Sequence, residues 1–123
     1  MTKSVLKQIY DCLKENEIDV YFAGQHEGEC TRKYTVIKKG GATTEYNVSA
    51  ERPLYTIMCY VPKHRYSELE DYALEIKKHM KNVYPLVMYL GNETDSFYDE
   101  TMKGHMVSFQ YQGCRKIETS NKW

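Results

Sequence analysis

The feature that most constrains this fold is the segment 54–90, in which two apolar runs flank an amphipathic stretch. The first run, residues 54–61, is unbroken and stops at Pro62, and the second run covers residues 86–90. Between them, apolar residues recur every three or four positions, as they do along one face of a helix. The segment therefore predicts a strand–helix–strand unit. Because the first run has no polar and apolar alternation, we expect its strand to be buried on both faces.

The rest of the chain shows one more helical pattern and several alternating ones. Residues 2–16 carry apolar side chains at three- and four-residue spacing, with Thr2 or Ser4 available as the N-cap. Alternating patterns predict further strands, which cover residues 18–23, 32–39 and 105–112. With strands at 53–61 and 86–90, the order is α-β-β-β-α-β-β. The 123 residues therefore predict one α+β domain, with a mainly antiparallel sheet and two helices packed on one face.

The second helix carries its own start and stop signals. Ser67, followed by Glu70 three residues later, fits a capping box, in which the two side chains satisfy free backbone N–H groups. A start one turn earlier, after Pro62, is the alternative. Pro85 prevents the helix from continuing. We expect its buried stripe to consist of Leu69, Tyr72, Ala73, Ile76 and Met80.

The segment between the second and third strands has no clear pattern. A pair of glycines at 40–41 is a turn signal. Residues 42–52 are polar and could form either the returning arm of a hairpin or an extended loop. We favour a mobile loop over residues 40–52 that becomes ordered only against a partner. Two later stretches also lack a pattern, an acidic loop at 91–103 and a polar C-terminal tail at 115–123.

Charge and aromatic content favour contact surfaces over nucleic-acid recognition. The 17 basic and 17 acidic residues balance, whereas nucleic-acid binders usually show a clear basic excess. The 12 tyrosines, against 3 phenylalanines and 1 tryptophan, suit half-buried strand surfaces and protein interfaces. One basic stretch surrounds Tyr34 and consists of Arg32, Lys33, Lys38 and Lys39. We interpret it as a sheet edge guarded by lysines, and the alternative is a basic lining beside passing DNA.

The sequence shows no motif that indicates catalysis, a cofactor or a metal ion. The four cysteines lie far apart, and the nearest approach to a ligand cluster, His26 to Cys30, is interpreted as an exposed loop. Glu93, Asp95 and Asp99 lack the spacing of a calcium-binding EF-hand. Neither a signal-peptide pattern nor an apolar stretch of membrane-spanning length is found. We therefore expect a soluble protein without enzymatic activity, made in a reducing cytoplasm and without disulfides.

Taken in order, these segments resemble the tail terminator proteins of long-tailed bacteriophages. That family is also known as tail completion proteins, and its members are often described as minor capsid or head–tail joining proteins. The resemblance rests on the order of the segments. A helix like that at 5–13 and a strand like that at 34–37 come first, followed by a variable loop. A strand at 55–62 then leads into a helix at 66–81, and a final hairpin carries Tyr98-Asp99-Glu100 before the strand at 106–111. The resemblance covers nearly the whole chain. It concerns the order of helices, strands and loops and does not include a chemical motif.

The resemblance implies a structural virion protein that forms a ring, usually a hexamer, at the end of the tail tube. Its partners would be its own copies, the tail tube protein and the head-closure protein of the neck. DNA would pass through the ring without specific binding, no membrane would be involved, and the family supplies no catalytic residue. The alternatives are another neck or connector component, a phage-like bacteriocin tail protein, or a small α+β nucleic-acid-binding module.

Two sets of residues are candidates for the contacts of such a ring. The predicted interface with other copies or partners includes Tyr46, Phe97, Tyr98, Asp99 and Glu100. Aromatic side chains beside carboxylates on a loop suit a contact surface. The predicted channel-lining or DNA-facing residues are Arg32, Lys33, Lys38 and Lys39. The loop at 40–52 would line the channel or grip the tube.

Overall fold

A computed structural model describes residues 4–26, 28–44, 50–113 and 115–116. The helices are α1 (Val5–Glu15) and α2 (Leu69–Met80), and short 3-10 helices at Lys63–Glu68 and Lys81–Val83 flank α2. The strands are β1 (Val20–Phe22), β2 (Tyr34–Thr44), β3 (Ala50–Pro62), β4 (Val87–Glu93), β5 (Phe97–Asp99), β6 (Gly104–Gly113) and β7 (Arg115–Lys116).

The strands form one mixed sheet with the order β1-β2-β3-β6-β4, to which β5 adds beside β6 and β7 beside β3. Among the described strands, β1 and β2 pair in parallel and the other pairs are antiparallel. Because β3 and β4 both run antiparallel to β6, the predicted strand–helix–strand unit joins two parallel strands with β6 between them. Both helices pack on one face, here called the helix face. The predicted α+β class, the element order and the one-sided helices are confirmed.

The main core lies between the helices and the sheet. Ile9 and Leu13 of α1 are fully buried, and the predicted stripe of α2 is buried throughout. The hydroxyls of Thr35 and Tyr72 lie 2.7 Å apart in a hydrogen bond that joins β2 to α2 inside this core. Burial raises the pKa of the Cys59 thiol to about 12, so Cys59 acts as a small hydrophobe. The sheet supplies Ile37, Ile57, Cys59, Val61, Val107, Phe109 and Tyr111.

A second, smaller cluster lies on the opposite face of the sheet, here called the open face. Its buried members are Cys30, Tyr34 and Tyr60. The rings of His26 and Tyr34 stack with centroids 3.8 Å apart, and those of Tyr34 and Tyr60 stack at 4.7 Å. The backbone N–H of Cys30 donates to the carbonyl of Met102 at 2.6 Å. The segment around His26 and Cys30 was predicted to be an exposed loop, but both side chains instead cover this end of the sheet.

Burial of β3 differs between its two ends. At the Tyr60 end both faces are covered, as the unbroken apolar run predicted. Towards the other end the open face has no such cover, and three of its side chains are only partly buried, namely Leu54, Thr56 and Met58. The prediction of burial on both faces is therefore right for half of the strand. The helices occupy one face, and the small cluster is too short to cover the rest of the other.

The strands β2 and β3 form a long antiparallel pair that runs from Tyr34 opposite Tyr60 to Thr44 opposite Glu51. The turn predicted at 40–41 is wrong, because both glycines lie inside β2, where the register shifts at a β-bulge. Glycine is typical of bulges because the extra residue there distorts the backbone. The predicted loop at 40–52 is wrong at both ends, which belong to β2 and β3. Its middle, residues 45–49 with the candidate Tyr46, lies outside the described residues.

The two helices begin in different ways. At α1 the predicted cap is present, since the backbone N–H of Lys7 donates to Ser4 Oγ at 3.1 Å. The capping box predicted at Ser67 is wrong. The chain turns into a 3-10 helix directly after Pro62, so Ser67 is already inside a helical turn, and the N-cap residue Glu68 makes no side-chain capping bond. The alternative start after Pro62 corresponds to this 3-10 helix.

These caps give a direct stability prediction. We expect Ser4→Ala to lower the free energy of unfolding by about 1 kcal/mol, because an orphan N–H group of the first turn loses its acceptor. The matched control is Ser67→Ala, which removes the same hydroxyl from an exposed position and should change stability by less than about 0.5 kcal/mol. Urea unfolding followed by circular dichroism measures both. Equal losses in the two variants would contradict the assignment of the caps.

The last third of the chain contains more strand than predicted. The strand expected at 86–90 extends to Glu93 as β4, and the loop expected at 91–103 contains the end of β4 and all of β5. The strand expected at 105–112 is confirmed as β6, with one further residue at each end. The tail expected at 115–123 begins with β7, and its remainder lies outside the described residues.

Close packing around position 104 of β6 leaves no space for a side chain, so this position requires glycine. A Cβ on Gly104 would lie 2.8 Å from the carbonyl oxygen of Val61 and 2.8 Å from the Cβ of Cys30. We expect Gly104→Ala to destabilise the fold by about 1–3 kcal/mol through overpacking. The matched control is Gly40→Ala, whose new Cβ would meet its nearest atom at an ordinary 3.6 Å and should be almost neutral. Thermal unfolding compares the two, and a neutral Gly104→Ala would contradict this contact.

Candidate protein-interaction surface

The large apolar side chains that stay exposed in the described part of the chain all lie between residues 66 and 97. They are Tyr66, Leu74, Tyr84, Leu86, Met88, Tyr89, Leu90 and Phe97, with exposures from 40% to 65%. Single exposed apolar residues are normal on soluble proteins, whereas a concentration in one region marks an interaction site. We call residues 84–97, together with the outer side of α2, the edge surface. It is the candidate functional site of this chain.

The strands β4 and β5 lie end to end along one edge of β6 and together form a broken edge strand. Gly91 has a φ of 83°, which favours glycine, and the register of β4 shifts before Glu93. Across the break, the N–H of Thr94 donates to the carbonyl of Ser108 at 2.9 Å, and the N–H of Ser108 donates to Thr94 Oγ1 at 3.0 Å. Bulged edges of this kind resist strand addition. A partner would therefore contact side chains and would not extend the sheet.

Lys77 of α2 divides the edge surface into two grooves. Its ammonium forms an ion pair with Glu93 and lies 5.0 Å from the ring centre of Tyr89 and 4.9 Å from that of Phe109. Partial burial lowers the pKa of Lys77, but the hydrogen bonds to Glu93 and Tyr89 and the charge of Glu93 more than offset it. The pKa is therefore raised, and Lys77 keeps its positive charge at neutral pH.

The first groove, which we call the basic groove, lies between the C-terminal end of α2 and β4. It has a volume of about 560 Å³, and its rim carries Lys77 and Lys81. The walls are apolar. Met80, Val87 and Tyr111 belong to the core on the helix face, and Tyr84, Met88 and Tyr89 complete the groove at its outer edge. A cavity of this size with apolar walls and a few charged groups is suited to receive an apolar side chain.

The second groove, which we call the acidic groove, lies between the N-terminal half of α2 and residues 93–96. It has a volume of about 640 Å³, and Leu74 stands exposed within it. Its carboxylates are Glu70, Asp71, Glu93 and Asp95. The edge surface thus changes from basic to acidic along its length.

Two of the predicted interface residues project from the β5 end of this surface. Phe97 is 48% exposed and pairs with Met106, whose side chain packs on the open face, so Phe97 also points to the open face. Glu100 is exposed in the following turn. These two are free to meet another molecule, and they stay predictions as interface residues.

The other two described members of that set are engaged within the chain. The ring of Tyr98 lies 5.2 Å from the ring of His105. A carboxylate oxygen of Asp99 accepts hydrogen bonds from the backbone N–H groups of Thr101 at 3.0 Å and Met102 at 3.2 Å. Asp99 therefore holds the turn between β5 and β6 in shape, and its contribution to an interface would be indirect.

The structure separates the four predicted basic residues. Arg32 and Lys33 precede β2, whereas Lys38 and Lys39 lie about 20 Å further along the strand and on opposite faces of it. Arg32 Nε lies 2.9 Å from a carboxylate oxygen of Asp19. The four side chains therefore do not form one basic patch. Their role as channel-lining or DNA-facing residues stays a prediction.

The exposed side chains that dominate the edge surface, Tyr84, Leu86, Met88, Tyr89 and Leu90, were not predicted as contact residues. The signal was present in the second apolar run, which carries apolar residues on both faces of a short strand. Such a pattern fits a central strand and an apolar edge strand equally well. The position of β4 at the end of the strand order decides between them.

No described helix is both long and apolar enough to cross a membrane. Within the described ranges, no three His, Cys, Asp or Glu side chains come together in a way that could hold a metal ion. In comparisons with known proteins, no family model matches the chain, and no curated protein is significantly similar to it. A functional proposal therefore has to rest on the edge surface and on the layout of the fold.

Proposed function

We propose that this protein is a structural subunit of the phage tail terminator class, whose copies form a ring that caps the tail tube and joins it to the neck. The observation that carries the proposal is the concentration of exposed apolar side chains on the edge surface. A concentration of exposed apolar side chains in one part of a protein is typical of surfaces that bind other proteins. The order of the helices and strands is compatible with the layout that the resemblance implies.

The two ends of the edge surface support a ring in particular. A ring of identical copies needs two different patches that meet head to tail, whereas a two-fold dimer needs one self-complementary patch. Here the same edge carries a basic groove at one end and carboxylates with exposed aromatic side chains at the other. Such opposite chemistry on one subunit suits head-to-tail association.

The test is assembly alone and on tail tubes. We expect the purified protein to form rings, either alone or on the ends of tubes made from the cognate tail tube protein, and to stop further growth of those tubes. Met88→Glu should weaken both assembly and capping, because it places a carboxylate in the middle of the apolar edge. Light scattering measures the mass of the free protein, and electron microscopy measures tube length and the caps.

A double variant separates this proposal from the nucleic-acid-binding alternative. Neutralising Lys38 and Lys39 to Gln removes two of the basic residues away from the edge surface, so we expect rings and capping to be unchanged. The alternative expects the same variant to lose binding to DNA, measured by a mobility shift. A protein that stays a strict monomer or dimer and leaves tube growth unchanged would contradict the proposed function.

A further inference from the structure

We propose that neighbouring copies join through one specific contact, in which the β5 tip of one copy, residues 95–100 with Phe97 at its centre, sits in the basic groove of the next. This inference rests on the proposed function, in which copies of the chain form a ring. It adds the two surfaces that meet and the chemistry that makes them complementary.

The basic groove offers what an aromatic anchor flanked by carboxylates needs. Its walls are the apolar side chains of Met80, Val87 and Tyr111, and its rim carries the ammonium groups of Lys77 and Lys81. Lys77 is already paired with Glu93 of its own chain, so Lys81 supplies most of the charge offered to a partner. An aromatic ring placed in such a pocket is the usual centre of a protein interface.

The β5 tip offers the matching chemistry. The Phe97 side chain is 48% exposed although it belongs to a paired strand, and the exposed carboxylates of Asp95 and Glu100 flank it in the sequence. The nearby ammonium of Lys103 lies 3.4 Å from a carboxylate oxygen of Glu29 and is thus already paired. Because the bonds of Asp99 hold the following turn in shape, the tip is ordered before it binds, which lowers the entropic cost of association.

The tip and the groove of one copy cannot meet each other. Phe97 pairs with Met106 at one end of β6, and Val87 of the groove pairs with Gly113 at the other end. Seven residues of strand separate the two positions, or about 23 Å. The contact therefore has to form between different copies.

The two surfaces also point in opposite directions, which excludes a flat two-fold dimer. The groove opens on the helix face, whereas Phe97 points to the open face. A two-fold axis perpendicular to the sheet would bring the tip of one copy beside the groove of the other, but on the wrong face. Stacking the open face of one copy on the helix face of the next satisfies the contact, and repetition of a head-to-tail contact gives a closed ring or a filament.

The test uses two variants that each lose one surface. Phe97→Glu removes the aromatic anchor, and the double variant Lys81→Glu with Met88→Glu reverses the charge of the groove rim and makes its edge polar. We expect each to weaken self-association by roughly 30-fold or more, the loss expected from an interface hot spot. Lys7→Glu, a charge reversal at an exposed residue of α1 outside the edge surface, is the control and should assemble like the wild type. Circular dichroism and urea unfolding check that all variants fold.

Mixing the two blocked variants gives the sharpest outcome. The Phe97→Glu protein keeps a working groove and the groove variant keeps a working tip, so a mixture should form 1:1 dimers and stop there, as measured by light scattering. Mixtures that stay monomeric while the wild type forms rings would overturn this contact and leave the proposed function standing. If Phe97→Glu still forms rings but fails to cap tubes, the tip binds the tube protein and the inference is likewise overturned. A wild type that assembles neither alone nor on tubes would overturn the inference together with the proposed function.

Discussion

Replacement of Phe109 by Ala is expected to lower the free energy of unfolding by about 3–5 kcal/mol, the range typical of a buried aromatic side chain. Phe109 is 1% exposed and lies in the middle of β6, the strand between β3 and β4. Its ring packs at the edge of the rings of Tyr89 and Tyr111, and the ammonium of Lys77 lies 4.9 Å from its centre. The substitution therefore opens a cavity and also removes the aromatic platform under Lys77.

Phe109→Leu is the matched control because it keeps most of the volume and loses the aromatic ring. We expect it to cost less than about 1.5 kcal/mol. Urea unfolding followed by circular dichroism measures both variants. A loss below about 1.5 kcal/mol for the alanine variant would mean that neighbouring side chains collapse into the space, and would contradict the tight packing around β6.

Unfolding at alkaline pH is the second large effect that we expect. Burial raises the pKa of Tyr34, Tyr72 and Tyr111 above the ordinary value of 10.0. The folded protein thus holds these hydroxyls neutral, and the resulting stability is fully present below the unfolded-state pKa and is lost as the pH rises toward the folded-state pKa. Above about pH 10, each group lowers the free energy of unfolding by about 1.4 kcal/mol per pH unit. Burial also raises the pKa of the Cys30 and Cys59 thiols, which add to this loss, so the protein should unfold over a narrow alkaline range.

Two conservative variants separate this effect from ordinary hydrogen bonding. The buried hydroxyl of Tyr34 has no hydrogen-bond partner among the described groups, so Tyr34→Phe should not lower stability at pH 7. It should flatten the alkaline loss by the share of one group, about 1.4 kcal/mol per pH unit. Tyr72→Phe should flatten it equally, but should cost about 1 kcal/mol at pH 7 because the bond to Thr35 is lost. Urea unfolding at pH 7 and at several values above pH 9 tests both. Equal losses at pH 7 would contradict the unpaired state of Tyr34.

Periodicity predicted the helices and the long strands of this fold because their burial is one-sided. The stripe from Leu69 to Met80 repeats with the helical period, and every member is buried. The alternation along β6 likewise separates buried Val107 from half-buried Ser108. Local turn chemistry was less informative, since the glycines at 40–41 mark a bulge whose position depends on the pairing of β2 with β3. No local signal in one strand reveals the register of its neighbour.

The candidate site was predictable only in part. The sequence drew attention to the stretch around Phe97, because aromatic residues beside carboxylates suit a contact surface, and the exposure of Phe97 is compatible with that prediction. It did not reveal the basic groove, which is assembled from the end of α2, from β4 and from β6. The exposure of Met88 and Tyr89 depends on β4 having β6 as its neighbour and nothing on its other side within the described sheet. The exposure of these two side chains depends on strand order, which the local sequence pattern does not determine.

The position of β6 also has a consequence for the synthesis of the chain. β6 is the only described strand that pairs with β4 and β5, and it also completes one side of β3, yet it follows all three in the sequence. A nascent chain that has reached residue 103 therefore carries apolar strands whose neighbour has not yet been translated, and such edges are prone to mispairing. A ribosomal pause before residue 104 would prolong that exposure. Once residue 113 has left the exit tunnel, β6 is available and the sheet can close, so a later pause would not have this effect.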